Sequence, residues 1–125
     1  MLKAAKPTDF QTVPLPALRT VIAMGRLFSL EEMMQIRKGL IPQEMDDKWF
    51  IYWKDDKLYF HRSWTGFCIY VAHFIIQTAG CNLLHAEVNR DPGQYDETSD
   101  DFDARMIPYL IDALLLHRDV EFPSN

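Results

Sequence analysis

Apolar and polar positions alternate through the middle of the chain, which is the pattern of β-strands with one buried face. Four such runs, rich in aromatic and β-branched residues, are separated by short turn-forming segments. They predict strands over residues 48–53, 57–63, 67–77 and 83–89. Because sequential strands with short connections pair antiparallel, we expect an antiparallel meander sheet of about four strands.

The first two runs predict a β-hairpin. Asp55 and Asp56 separate them, and aspartate tolerates the backbone geometry of a tight turn. Alternation along the second run places Phe60 and Arg62 on one face of the sheet and His61 on the other.

Two helical patterns flank the strands. The sequence S-L-E-E at residues 29–32 is a capping box, and it predicts a short N-terminal helix over residues 30–38. Ser99, followed by aspartates in the next turn, begins a longer amphipathic pattern. This pattern predicts a C-terminal helix over residues 99–117 on one face of the sheet, which Pro108 kinks or restarts. The expected fold class is α+β.

The beginning of the chain is interrupted by three prolines, Pro7, Pro14 and Pro16. Proline removes a backbone donor and fixes φ, so residues 1–28 are predicted to form an arm over the surface. Within this arm, residues 18–24 fit a short strand or a turn of helix equally well. A chain of 125 residues has the usual size of one domain, and we expect a single domain over residues 1–125.

Composition narrows the class of partner. The hydrophobic fraction of 48% and the charged fraction of 25% are those of a globular protein. The net charge of −5, without a basic cluster, disfavours nucleic acid. No signal-peptide core precedes the domain, and the longest apolar stretch, residues 67–76, is too short to span a bilayer, so no membrane partner is expected. Cys68 and Cys81 do not suggest a disulfide framework, which favours a cytoplasmic location.

The H-R-S-W-T-G run at residues 61–66 carries the candidate chemistry. Arg62 offers a planar fork of donors for phosphate or carboxylate, and Trp64 offers a flat face for stacking a ring. Arg90 ends the fourth predicted strand and can converge on the same edge, and His61 lies beside the pair. We therefore predict a ligand site of Arg62, Trp64, Arg90 and His61 for an anionic ligand with an aromatic base. Alternatively, Arg62 pairs with an acidic neighbour and Trp64 fills the core.

Other chemistry has less support in the sequence. His85 and Glu87 share a strand face and can meet His61 or His73, but no zinc-binding spacing accompanies them, so we predict neither a metal nor a cofactor. Ser63 lacks the turn motif of a nucleophilic serine. No catalytic residue is assigned.

Aromatic residues occur on both faces of the predicted hairpin. One layer of helix does not cover both faces, so a second copy of the chain is expected to cover the remainder. We therefore predict a homo-oligomer, with a dimer as the default symmetry. The aromatic residues concerned are Trp49, Tyr52, Trp53, Tyr59 and Tyr70.

The strings M-D-D-K-W-F-I-Y-W, L-Y-F-H-R-S-W-T-G-F-C-I-Y and V-N-R-D-P-G-Q-Y resemble a small uncharacterised bacterial family that is associated with proteins acting on ADP-ribose. The resemblance covers residues 45–116. It implies a nucleotide-like or ADP-ribosylated ligand for an accessory binding module. Two alternatives stay open: a hydrolase of such ligands that uses His61, His85 or Glu87, and a homo-oligomeric structural or interaction domain without a small-molecule ligand.

Overall fold

A five-stranded antiparallel sheet organises residues 4–124, which are the residues that this computed structural model describes. Its strands are β1 (Arg19–Ser29), β2 (Trp49–Lys54), β3 (Lys57–Arg62), β4 (Cys68–Gln77) and β5 (Gly80–Asn89). They lie in the order β1-β5-β4-β3-β2, and every neighbouring pair is antiparallel. The α+β class and the meander from β2 to β5 are confirmed.

The sheet has five strands, so the prediction of about four was wrong. The additional strand is β1, most of which falls within the predicted arm. It pairs with β5 along its whole length, from Arg19 opposite Asn89 to Ser29 opposite Gly80. The register shifts between Ala23 and Arg26, which interrupts the alternation that would have marked the strand. Of the two alternatives for residues 18–24, the strand is the one realised. Pairing with a distant part of the chain decides it, and local sequence does not show that pairing.

The N-terminal helix α1 (Leu30–Ile36) follows β1 directly. Ser29 Oγ accepts a hydrogen bond from the Glu32 backbone N–H at 3.1 Å, and the Glu32 carboxylate accepts one from the Ser29 N–H at 2.8 Å. The predicted capping box is therefore confirmed. Gly39 then adopts φ +65°, and a Cβ there would overlap the carbonyl oxygen of Ile51.

The C-terminal helix α2 (Asp100–Leu110) continues into a π-helical turn, Ile111–Leu115. Ser99 Oγ caps the helix by accepting from the Phe102 N–H at 3.1 Å, as predicted. The widened turn begins three residues after Pro108, which has no N–H to donate within the helix. Helices α1 and α2 pack on the same side of the sheet, here called the helix-covered face, where they enclose the main core. The other side is called the opposite face.

The arm covers part of the opposite face. Its Phe10 ring lies 5.2 Å from the Phe50 ring, centre to centre, and Ala5 packs in the same small cluster with Tyr52. The Val13 N–H donates to the Gly66 carbonyl at 2.8 Å. The beginning of the chain is thereby attached to the turn between β3 and β4.

Within the described residues, no helix has the length and hydrophobicity needed to cross a bilayer. Cys68 and Cys81 are both buried and both free.

Candidate anion-binding site beside Trp64

The H-R-S-W-T-G run forms the end of β3 and the turn into β4. The turn is closed by two backbone hydrogen bonds, from the Gly66 N–H to the Arg62 carbonyl at 2.8 Å and from the Arg62 N–H to the Phe67 carbonyl at 2.9 Å. Gly66 adopts φ +79°, a conformation that other residues rarely adopt. The turn is therefore a defined structure, and it fixes the backbone positions of Arg62 and Trp64 relative to each other.

Arg62 lies on the helix-covered face, opposite Trp49 in the β2–β3 register. Its guanidinium carbon is 4.4 Å from the centre of the Trp49 ring, so a cation–π contact fixes its direction. Among residues 4–124, no carboxylate lies within 4.0 Å of the Arg62 side chain. The alternative in which Arg62 pairs with an acidic neighbour is not realised in this part of the chain.

Lys48 joins Arg62 at the site, and our sequence reasoning did not select it. The Ser63 N–H donates to the Lys48 carbonyl at 2.9 Å, which places the two basic residues at the same end of the hairpin. Lys48 likewise has no ion-pair partner in the described chain. The signal was present, because a hairpin turn at Asp55 and Asp56 already sets Trp49 opposite Arg62, and Lys48 is the residue before Trp49.

The two cations border a cavity of about 460 Å³. Its other lining residues are Trp64, Thr65, Phe67, Gly93 and Gln94. Lys48 and Arg62 also border a smaller cavity of about 300 Å³, whose lining includes Asp96 and Glu97. The larger cavity, called here the cationic cavity, therefore combines two positive charges with an aromatic wall.

Trp64 is 72% exposed, so it does not fill the core as the alternative interpretation supposed. Its indole Nε1–H donates to the Met45 carbonyl at 2.9 Å. This bond satisfies the only polar atom of the side chain and limits rotation of the ring. The indole is thus held in place while its faces remain accessible to a ligand.

The loop after β5 forms the far wall of the cationic cavity, and Asn89 holds it. Asn89 is fully buried, and its side-chain NH₂ donates to the Cys68 carbonyl at 2.8 Å and to Gln94 Oε1 at 2.9 Å. Its side-chain oxygen accepts from the Asp91 N–H at 2.8 Å. Three hydrogen bonds from one buried side chain make this wall rigid.

Arg90 lies at the same sheet edge, but its donors are occupied. Its guanidinium donates to Asp103 at 2.6 Å, to Asp100 at 2.7 Å and to the Glu97 carbonyl at 3.1 Å. These contacts attach the start of α2 to the end of β5. The charge of Arg90 is therefore balanced within the fold, and we do not base a ligand contact on it.

Asp103, the partner of Arg90, is fully buried and also accepts from two tyrosines. The Tyr70 hydroxyl donates to it at 2.8 Å and the Tyr95 hydroxyl at 2.5 Å. Burial, reinforced by the neighbouring acidic groups, raises the pKa of Tyr70 well above its usual value. The Tyr70 hydroxyl therefore stays protonated and donates. Through Tyr95 and Asp103, this network attaches the loop after β5 to β4 and α2.

His61 lies on the opposite face, as alternation predicted, and it is buried. Its Nδ1 is 2.9 Å from the Gly66 carbonyl, which accepts only, so we assign the proton to Nδ1. Nε2 is buried and has no hydrogen-bond partner among the described residues. Burial lowers the pKa of His61 below its usual value. His61 therefore stabilises the β3–β4 turn through the Gly66 carbonyl, and it does not line the cationic cavity.

The other candidate histidines also lie on the opposite face. The His73 and His85 rings stack with centres 4.4 Å apart, and His73 Nε2 is 2.7 Å from Glu87. Lys57, and not His61, is the β3 residue opposite His73, so His61 is about 13 Å further along the strand. In the part of the chain that the structure describes, no group of three or more His, Cys, Asp or Glu side chains could hold a metal ion.

No protein-family profile matches the chain, and no curated protein and no solved structure is similar to it. The function therefore has to be inferred from the geometry and chemistry of the site.

Proposed function

We propose that this protein is a binding module for a nucleotide-like ligand, in which an anionic group is joined to a planar ring. The observation that carries the proposal is the position of two cations without ion-pair partners, Lys48 and Arg62, beside the exposed and hydrogen-bonded indole of Trp64. In a chain of net charge −5, carboxylates are abundant. Two neighbouring cations that lack a carboxylate partner are therefore suited to an external anion.

Each side chain has a distinct role in this proposal. Arg62 presents a planar fork that can bind two phosphate oxygens at once, and Lys48 adds a point charge. Trp64 stacks on the base, an interaction worth about 1 to 3 kcal/mol for each base in nucleic-acid-binding proteins. The resemblance of the strands to a family associated with ADP-ribose favours ADP-ribose or an ADP-ribosylated group as the ligand.

Binding without hydrolysis is favoured over an enzyme. The cationic cavity is lined by Lys48, Arg62, Trp64, Thr65, Phe67, Gly93 and Gln94, and this set contains no histidine and no carboxylate. His61, His85 and Glu87, the candidate acids and bases, belong to the opposite face. A general base must reach the proton that it removes, and these groups lie on the wrong side of the sheet.

Calorimetry with ADP-ribose tests the proposal. Arg62→Ala should weaken binding by about 1.5 to 3 kcal/mol, the scale of a charge-assisted hydrogen bond. Trp64→Ala should also weaken it, through lost stacking. Arg37→Ala is the matched control, because Arg37 also lies over a tryptophan ring, that of Trp53 at 5.3 Å, and has no carboxylate partner among residues 4–124.

The control separates a site from a structural role. Arg37→Ala should leave the affinity unchanged, and all three variants should keep the circular dichroism of the unmutated protein. Equal affinities of the unmutated protein and Arg62→Ala would refute the proposal. Absence of measurable binding to ADP-ribose, AMP and pyrophosphate would refute it as well.

A second candidate function, assembly into a homodimer, is favoured by the surface around β1. The outer edge of β1 pairs with no other strand among the described residues. On the opposite face, the exposed apolar side chains of Leu27 and Ile75 flank Asn82 in one cross-strand row. An exposed strand edge next to apolar surface is a common place for pairing with a second copy.

A further inference from the structure

Trp64 also lines a second cavity. This cavity has a volume of about 560 Å³, and its lining includes Phe10, Pro42, Glu44, Met45 and Ser63. The two cavities therefore adjoin at Trp64, which lines both.

The second cavity is preformed. Asp47 accepts hydrogen bonds at one carboxylate oxygen from the backbone N–H groups of Gln43, at 2.9 Å, and Glu44, at 3.2 Å. The Ser63 hydroxyl donates to the Asp47 carbonyl at 2.7 Å. Together with the bond from Trp64 to the Met45 carbonyl, these contacts fix the 43–47 turn against the turn after β3.

The two cavities differ in charge. No lysine or arginine lines the second one among the residues that the structure describes, and Glu44 contributes a carboxylate. Its remaining lining is largely apolar, with the Met45 side chain 74% exposed and the Phe10 ring packed on Phe50. This chemistry disfavours a phosphate and suits a neutral sugar or ring.

We propose that both cavities form one site for a two-ended ligand, and this rests on the proposed function. The phosphates lie beside Lys48 and Arg62, and the second, neutral end of the ligand lies against Met45 and Phe10. Trp64 stacks on the base at the first end, and the diphosphate joins that nucleoside to the second end. The ligand class is thus a nucleoside diphosphate that carries a further sugar or ring, in preference to a mononucleotide or a simple diphosphate.

Calorimetry with three probes tests the inference: AMP, ADP and ADP-ribose. The unmutated protein should bind ADP-ribose at least about fivefold more tightly than ADP, since burying part of a sugar and a methionine side chain has an effect of this order. Met45→Ser should remove most of that preference and leave the affinity for ADP unchanged. Met34→Ser in α1 is the matched control, since Met34 is 68% exposed and lines neither cavity.

The outcomes separate this inference from the proposed function. Equal affinities for ADP and ADP-ribose, with both weakened in Arg62→Ala, would overturn the two-ended ligand and leave the anion site standing. An unchanged preference for ADP-ribose in both Met45→Ser and Phe10→Leu would overturn the assignment of the second cavity. If none of the three probes binds, both proposals fail.

Discussion

Most arginines of this protein balance a carboxylate, and Arg62 does not. Arg19, Arg26, Arg90, Arg105 and Arg118 each form a salt bridge. Arg26 illustrates the usual arrangement, with two hydrogen bonds to Asp112 at 2.7 and 2.8 Å. Arg62 instead rests on the ring of Trp49, which orients its donors without satisfying their charge. Arg37 shares this arrangement over Trp53, so the cavity beside Trp64 is what distinguishes Arg62 as the proposed binding residue.

His61 makes the stability of the fold dependent on pH. Burial lowers the pKa of His61, so the unfolded chain takes up this proton at a higher pH than the folded protein does. The contribution of His61 to stability is therefore complete above the unfolded pKa of about 6.5 and is lost as the pH falls below it. We expect the urea midpoint to decrease between about pH 7.5 and pH 5.5.

His61→Asn provides the comparison, since asparagine can still donate to the Gly66 carbonyl from the Nδ position but does not titrate. The midpoint of this variant should depend less on pH than that of the unmutated protein. The remaining histidines are present in both proteins, so their effects cancel in the difference. Identical pH profiles would show that His61 titrates alike in the folded and unfolded states.

The turn between β3 and β4 depends on Gly66. A Cβ at this position would lie 2.7 Å from the Gln11 carbonyl oxygen of the arm, and φ +79° disfavours any other residue. Gly66→Ala should therefore lower the free energy of unfolding by about 1 to 3 kcal/mol, measured by urea denaturation. Ligand affinity should fall with it, because the same turn positions Arg62 and Trp64.

Gly25→Ala is the control for Gly66→Ala. Gly25 lies in β1, and a Cβ there would meet no atom within 4 Å. The substitution should leave stability unchanged or raise it slightly, since alanine restricts the unfolded chain. Similar losses in both variants would mean that backbone strain at Gly66 is not the cause.

Local pattern predicts the elements of this fold where the signal lies within the segment itself. The capping box of α1, the Ser99 cap of α2 and the alternation of the β2–β3 hairpin are of this kind. The position of Arg62 and Trp64 on one turn is of this kind as well. The strand β1 and the occupied donors of Arg90 could not be predicted in the same way. Both depend on partners elsewhere in the chain, β5 for the strand and Asp103 for the arginine. Contacts between distant segments are not encoded in spacing along one segment.

The proposed dimer is tested by its concentration dependence. We expect sedimentation equilibrium to show a mass above that of the 14.7 kDa monomer, rising across micromolar concentrations. Leu27→Lys should shift the equilibrium towards monomer, because it places a charge in the exposed apolar row on β1. Leu30→Lys, an exposed leucine in α1, should not. A constant monomer mass for the unmutated protein would exclude this assembly.

The exposure of Trp64 also gives the protein an optical reporter. Of the three tryptophans, Trp49 is buried, Trp53 is half-buried, and Trp64 alone is widely accessible to solvent. Iodide, which is itself an anion, should collect beside Lys48 and Arg62. We therefore expect the ratio of quenching by iodide to quenching by neutral acrylamide to be higher for Trp64 than for free indole. A ligand at the proposed site should therefore change the fluorescence of the unlabelled protein.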